Sequence, residues 1–307
     1  MTNKLINFFR SQGKVMSILF AIILGIVFPQ LSSLSWMIQF LLMVMLFYAF
    51  LDLNLRETNF PIQLLFVLVA NVSIAMLSYF LLNTIDHTLA LAAFITAIAP
   101  TAISSTVIIG FLKGNIPFVS SAVVITNIGI AIFVPIVLPF LAKTNEPVST
   151  LQILQPVILT LFIPFILARF SLILPRNGSK LIKNSKSASF YIWLATLIIV
   201  VAKAIDFIEN QATIKMDQIL SIALISLAIC VLNFLVGHFI GGEKYSREAS
   251  QALGQKNNSF VVWIALAFIN PVVALGPTFY IIYHNIYNSW QIIHFEKREK
   301  VPENVDA

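Results

Sequence analysis

Charge is scarce in this sequence: 10% of its 307 residues are charged, while 59% are apolar. A soluble domain carries roughly 25% charged residues, so no water-facing surface is provided for and a soluble globular fold is excluded. Cysteine is nearly absent. The single one, Cys230, lies inside an apolar run; it excludes an internal disulfide and reads as packing. Histidine is equally thin, with four scattered residues and no Cys/His cluster of the kind that holds a metal. Acidic residues keep to loops, tails and the edges of apolar runs, so acid/base or metal chemistry inside a membrane lacks its side chains and an enzyme is not expected. No polar stretch is long enough for a soluble domain, and the tail from Glu296 to Ala307 is too short for the signalling domain of a membrane sensor.

What the chain has instead is apolar runs of spanning length. A helix crossing about 30 Å of hydrocarbon needs about 20 residues. Runs near 15–30, 34–53, 61–84, 88–112 and 117–142, then near 150–174, 187–208, 217–241, 246–269 and 273–294, meet that need. The first, with Lys4, Arg10 and Lys14 ahead of it, resembles a signal peptide but lacks a small-x-small cleavage site, and it is kept as mature protein. The net charge of +6 points to topology and not to nucleic acid. With the N-terminus placed inside, the nineteen Lys and Arg residues divide unevenly. Lys143, Lys203 and Lys215 fall outside, Lys256 lies within a span, and the other fifteen are inside. By the positive-inside rule both termini are cytoplasmic in a cell (inner or plasma) membrane, and the Arg176–Lys186 loop joins the two halves on that face.

The expected fold is therefore an all-α polytopic membrane protein of ten transmembrane helices forming one domain over 1–307. Repeat 1 covers about 15–142, repeat 2 about 150–294, and 295–307 is a cytoplasmic tail. Five spans per half place the second half upside down relative to the first, the inverted repeat common in secondary transporters. Two spans are interrupted. The fourth carries Pro100 at its centre, with Thr96, Thr101, Ser104, Ser105 and Thr106 around it; the ninth carries Gly254, Gln255, Lys256, Asn257 and Asn258. Proline removes a helix hydrogen bond, and polar groups at membrane depth need protein or a wet cavity around them. Matching breaks, fourth of five in each half, point to a binding site at the midplane, where open helix ends attract anions and hold cations.

Other polar residues inside spans have plainer readings. Gln39, Asn71, Gln155 and Asn233 suit hydrogen bonds between helices. Thr126 and Asn127 are expected beside the broken fourth span, and His238 near an interface. His284, Asn285 and Asn288, with Tyr283 and Tyr287, either support the ninth span's break or form a girdle contact.

The two breaks resemble the signature of the bile acid:sodium symporter family. Pro100, Ser105, Thr106, Lys113 and Gly114 stand where that family has a Pro, small residues, Ser-Asn and a closing Lys-Gly. Ala252, Leu253, Gly254, Gln255, Lys256 and Asn257 stand for its Glu-x-Gly-x-Gln-Asn stretch. The resemblance implies a panel domain of spans one, two, six and seven, and a core domain of the rest. The broken spans would cross in the core, solute would bind in the crevice between the domains, and rocking would alternate access. It also implies two sodium ions near the crossing, and here the chain departs. Family oxygens are replaced by Ala252, Lys256, Asn71 and Thr106, and two fifth-span hydroxyl positions fall on Val119 and Val123. What remains is a degraded set near Asn71, Ser105, Thr106 and Lys256 that is not expected to hold a metal.

A charge at membrane depth costs about 2.5–3.5 kcal/mol, so Lys256 needs compensation. Either its ammonium stands in for a sodium ion, or it carries a proton, or it snorkels to the interface. The expected function is a secondary carrier of a small organic anion, from steroid-like acids to small keto acids, with no cofactor and with sodium or a proton as coupling ion. A sodium-coupled symporter of the family's usual kind is the alternative. The related arsenite efflux permeases have a similar fourth span, but they need a thiolate just after the Ala-Pro step, where this chain has Thr101. The sequence carries no sign of an oligomeric state.

Overall fold

The computed structural model describes residues 17, 20–51, 53, 60–142, 149–171, 173, 188–210 and 215–299. Lys4, Arg10, Lys14, Arg56, Lys143, the Arg176–Lys186 loop and the end of the expected tail lie outside the described residues. Among the described residues the chain is all-helical, and its one β-type pairing is an isolated bridge.

Residues 20–27 are helical, and a 3-10 helix, Pro29–Met37, leads into α1 (Ile38–Leu51). The second span thus begins at Pro29 and not at residue 34. Then follow α2 (Gln63–Leu82), α3 (His87–Ile98), α4 (Ser104–Phe111), α5 (Ile116–Ala142), α6 (Thr150–Ser171) and α7 (Ala188–Asn210). Last come α8 (Met216–Gly254), α9 (Asn258–Phe268) and α10 (Leu275–Glu299), which runs as helix past the expected end at residue 294.

Six stretches are long and apolar enough to cross a membrane: Pro29–Leu51, Gln63–Leu82, Ile116–Ala142, Thr150–Ser171, Ser189–Asn210 and Met216–Gly254. That is fewer than the ten expected, for physical reasons. The fourth and ninth runs are each divided into short helices, the first is described only in part, and α10 carries a stripe of polar residues. The surface suits lipid, with Phe140, Leu81 and Phe239 among the most exposed side chains. The interior is the more polar side in places: Asn71, Thr101, Gln251 and Lys256 are all buried.

Local chemistry sets the helix ends. Asp86 caps α3 by accepting from Leu89 N at 2.7 Å. Lys113 takes a left-handed φ of 54° where α4 turns into α5, and Glu248 closes that corner by accepting from Asn115 N at 2.7 Å. Within α8 the chain folds back at Gly242 (φ 57°, ψ −152°), a region essentially confined to glycine. The two legs of α8 then meet so closely that Gly237 lies against the Ala249 and Ser250 backbone, and Gly241 against Ser246.

Packing sorts the helices into two groups. In one, α1 packs on α6 and α7, and the 3-10 helix lies on α7. In the other, α2, α3, α5, α8, α9 and α10 pack among themselves with α4. The groups join where α5 meets α6, and more thinly where α9 faces α1 and α10 faces α7.

Candidate functional site

The interruption after α3 and the one after α8 meet each other. Thr101 and Lys256 form an antiparallel bridge, with Ala102 N donating to Gln255 O at 2.8 Å and Asn257 N to Pro100 O at 2.8 Å. Each break exposes backbone groups that the other satisfies, which is how irregular chain persists inside a membrane protein. Flanking side chains complete the accounting. Thr126 Oγ1 accepts from Thr101 N at 3.0 Å, and Asn127 Nδ2 donates to Thr101 O at 3.1 Å. Thr101 Oγ1 donates to Ala252 O at 2.5 Å, and Tyr280 OH to Gly254 O at 2.8 Å. Gly254 has no room for a side chain, because a Cβ would run into the Phe234 ring.

Lys256 is 2% exposed. Its Nζ donates to Asn71 Oδ1 and, at 2.9 Å, to Ala97 O. Asn71 Nδ2 in turn donates to Ala99 O at 3.2 Å. The ammonium is thus held at the C-terminal end of α3, where unpaired carbonyls and the negative end of the helix dipole favour a cation. This geometry rules out snorkelling, since the lysine turns inward. Asn71 Oδ1 accepts from the ammonium, and the hydroxyls of Ser105 and Thr106 donate to Ala102 O (2.5 Å) and Ile103 O (2.8 Å). Among the described residues no cluster of three or more His, Cys, Asp or Glu forms a metal site.

Beside the joined breaks lies a cavity of about 530 Å³. One wall is polar: Ser104, Gln255, Lys256, Asn257, Asn258, His284, Asn285, Asn288 and Ser289. The other is apolar and aromatic, with Leu42, Met45, Tyr48, Phe190 and Trp193 among its residues. The walls therefore come from the two packing groups, α4, the second break and α10 on one side, α1 and α7 on the other. The N-terminal ends of α4 and α9 adjoin this space, and neither Ile103 nor Asn257 caps its helix with a side chain. The α9 end can present backbone N–H groups to an anion, whereas at α4 Ser105 N and Thr106 N already donate to Ala102 O (3.1 Å) and Ile103 O (3.0 Å).

The polar wall is ordered by its own bonds. Asn288 Nδ2 donates to Gln255 Oε1, Gln255 Nε2 to Ser104 Oγ at 3.2 Å, and Gln251 Nε2 to Asn288 Oδ1 at 2.9 Å. Ser104 Oγ accepts in that chain, so its own proton is free for a solute. Asn258 Nδ2 and His284 Nδ1 lie 3.4 Å apart, in hydrogen-bond contact. Asn258 Oδ1 is buried with no partner.

Of the residues singled out from sequence, Ser104, Gln255, Lys256, Asn257, Asn258, His284 and Asn285 line the cavity. Asn71, Pro100, Thr101, Thr126 and Asn127 are not in its lining and hold the bridge or its lysine, while the Ser105 and Thr106 hydroxyls bond carbonyls of their own turn. Ser289 was missed, although it extends the α10 stripe of residues 281, 284, 285, 288 and 292 at helical spacing. Tyr48, Phe190 and Trp193 carried no signal, because an aromatic in a lipid-spanning run looks the same on either face. Comparison of the chain with models of known protein families and with curated proteins yields no match.

Proposed function

We propose that the chain is a ten-span secondary transporter, built as two inverted five-helix repeats, which carries an organic anion by alternating access. The observation that carries this reading is the cavity between the two packing groups, floored by the joined interruptions of the fourth and ninth runs. A fold serving only as a scaffold has no reason to break two apolar helices and place both breaks against one cavity. The panel domain would be the first, second, sixth and seventh spans and the core domain the remainder, with both termini cytoplasmic, as in the bile acid:sodium symporter family that the breaks resemble.

The solute's head group would meet the N-terminal amides of α9, the Ser104 hydroxyl and the His284 imidazole. Its body would lie against Tyr48, Phe190 and Trp193. A cavity of about 530 Å³ is in the range of sites for drug-sized ligands, about 300–1,000 Å³, and favours an acid with a sizeable apolar body over the smallest keto acids. Lys256 would act as a permanent cation at the crossing, so transport needs no sodium.

Counterflow into proteoliposomes in sodium-free potassium buffer tests the reading, with labelled cholate and labelled pyruvate as solutes. Cholate is expected to exchange faster than pyruvate. Ser104→Trp, which fills the cavity from an exposed position on its wall, is expected to abolish exchange with little change in melting temperature. Exchange by Ser104→Trp at the wild-type rate would remove the cavity from the route.

A further inference from the structure

The polar wall of the cavity continues behind it as a chain of primary amides. Ser104 on α4 ends the chain, Gln255 in the second break precedes it, then come Asn288 on α10 and Gln251 on the returning leg of α8. Ser104, Gln255 and Asn288 line the cavity. Gln251 is fully buried and lies outside the lining.

A primary amide accepts at one end and donates at the other, so each link sets the sense of the next. Gln251 Nε2 donates to Asn288 Oδ1 at 2.9 Å, Asn288 Nδ2 to Gln255 Oε1, and Gln255 Nε2 to Ser104 Oγ at 3.2 Å. The chain runs one way, out of the buried leg and into the cavity. Turning one amide would set like ends against each other at its neighbours, so all three must turn together.

The buried end holds the sense. Gln251 Nε2 also donates to Gln291 Oε1 at 2.6 Å, and Gln291 Nε2 donates to Tyr287 OH at 3.0 Å. Gln251 Oε1 is buried with no partner. A reversed chain would put the amino group of Gln251 in that place, and buried N–H groups are orphaned more rarely than under-satisfied oxygens. At the cavity end the sense has a chemical result. Ser104 Oγ accepts from Gln255, which leaves its proton for the solute, and bonds in series polarise one another and strengthen that donor. A solute that brings an acceptor is matched there; one that brings an ammonium meets a proton.

We infer that Gln251 and Asn288, acting through Gln255, are positioning residues that fix Ser104 as a donor and so select anions over cations of the same shape. The inference rests on the carrier reading and adds which residues set the charge that the site selects.

Asn288→Asp tests it. A carboxylate at 288 only accepts, so it keeps the Gln251 donor and makes Gln255 turn its amino group inward. Gln255 Oε1 then takes the Ser104 proton, and Ser104 offers the solute a lone pair. The readout is the ratio of the affinities for cholate and for its primary-amine analogue, measured by binding to the full chain in lipid nanodiscs. The added charge lowers that ratio by itself. Ser104→Ala removes the end of the chain but keeps the charge effect, and so isolates the rest. Asn288→Asp is expected to lower the ratio about 10- to 100-fold more with the Ser104 hydroxyl than in the Ser104→Ala background, the range for one hydrogen bond to a charged group. Equal falls in the two backgrounds overturn the inference, since Asn288→Asp would then act by its charge alone. Gln251→Met, neutral and outside the cavity, is read in the same cycle if Asn288→Asp does not melt as a folded protein. Without Gln251 either sense of the chain is open, so the ratio is expected to fall in the Ser104 protein and to stay unchanged in Ser104→Ala. An equal response in both backgrounds, or none in either, overturns the inference. A wild type that binds neither steroid counts instead against the carrier reading itself.

Discussion

Lys256→Met is expected to abolish transport and to lower stability by about 2 kcal/mol, the balance of opposed terms of about 1–3 kcal/mol per stranded acceptor, up to about 2 from the helix end and about 2.5–3.5 of relieved burial. Asn71 Oδ1 and Ala97 O each lose their donor, and the end of α3 loses the positive charge set against it. Methionine gives back the cost of burying an ammonium and nothing else. Function suffers more than stability, because α3 ends where the bridge to the second break begins, and the bridge positions both helix N-termini at the cavity. Lys256→Gln separates charge from shape. It returns an oxygen to a place that already has Asn71 Oδ1 and Ala97 O, so sodium is expected to raise its melting temperature while leaving the wild type unmoved. Thermal melts and counterflow of both variants, in sodium and in potassium, check this. Wild-type melting and transport by both variants would show that the ammonium holds nothing together.

Gly237→Leu is expected to prevent the native fold, and Gly237→Ala to cost about 3 kcal/mol, the upper part of the usual range for overpacking. A Cβ on Gly237 would meet the Ala249 carbonyl oxygen and stand 2.7 Å from Ser250 Cα. These are backbone atoms of the returning leg of α8, so no rotamer change relieves the contact. The legs would have to separate. Ser250 Oγ, which donates to Phe234 O at 2.7 Å across them, would lose its partner, and Gln251, Gly254 and Gln255 would move with the leg. Gly242→Ala is the comparison. Its Cβ meets nothing within 4 Å, so its cost is conformational alone, about 1–3 kcal/mol for a strained φ/ψ. Melting temperature and monodispersity in detergent check the order: Gly242→Ala milder than Gly237→Ala, and Gly237→Leu not recovered as a folded species. Equal effects at the two glycines would mean that the legs are not held in contact.

Both interruptions were legible in the sequence for a simple reason. A proline, or five consecutive residues from Gly254 to Asn258 without an apolar side chain, cannot pass through hydrocarbon as ordinary helix. What the breaks do to each other was not legible. The register that sets Thr101 opposite Lys256 is fixed by backbone hydrogen bonds, which any residue can make. The ammonium's second partner, Ala97 O, is likewise a main-chain atom with no signature. Asn71 read as a residue joining helices, and it is one, but the group it joins is the lysine. The close approach at Gly237 and Gly241 was not legible in the sequence, because a glycine in an apolar run does not say which backbone it will meet. The division into an eighth span ending near residue 241 and a ninth starting near 246 falls at the fold-back, where Gly242 and Tyr245 leave helical geometry. The apolar wall of the cavity was hidden, because lipid and solute body ask for the same side chains.

The most direct test of the central claim, an organic-anion carrier whose fixed lysine replaces a sodium ion, is the melting temperature of the purified protein against a panel of organic acids. Each acid is measured in sodium and in potassium buffer. A ligand that binds only the folded state raises the melting temperature by mass action. The predicted result is that at least one amphipathic acid stabilises the protein equally in both buffers, and that sodium alone does nothing. Stabilisation by sodium alone, by an acid only in the presence of sodium, or by no acid in either buffer would contradict it.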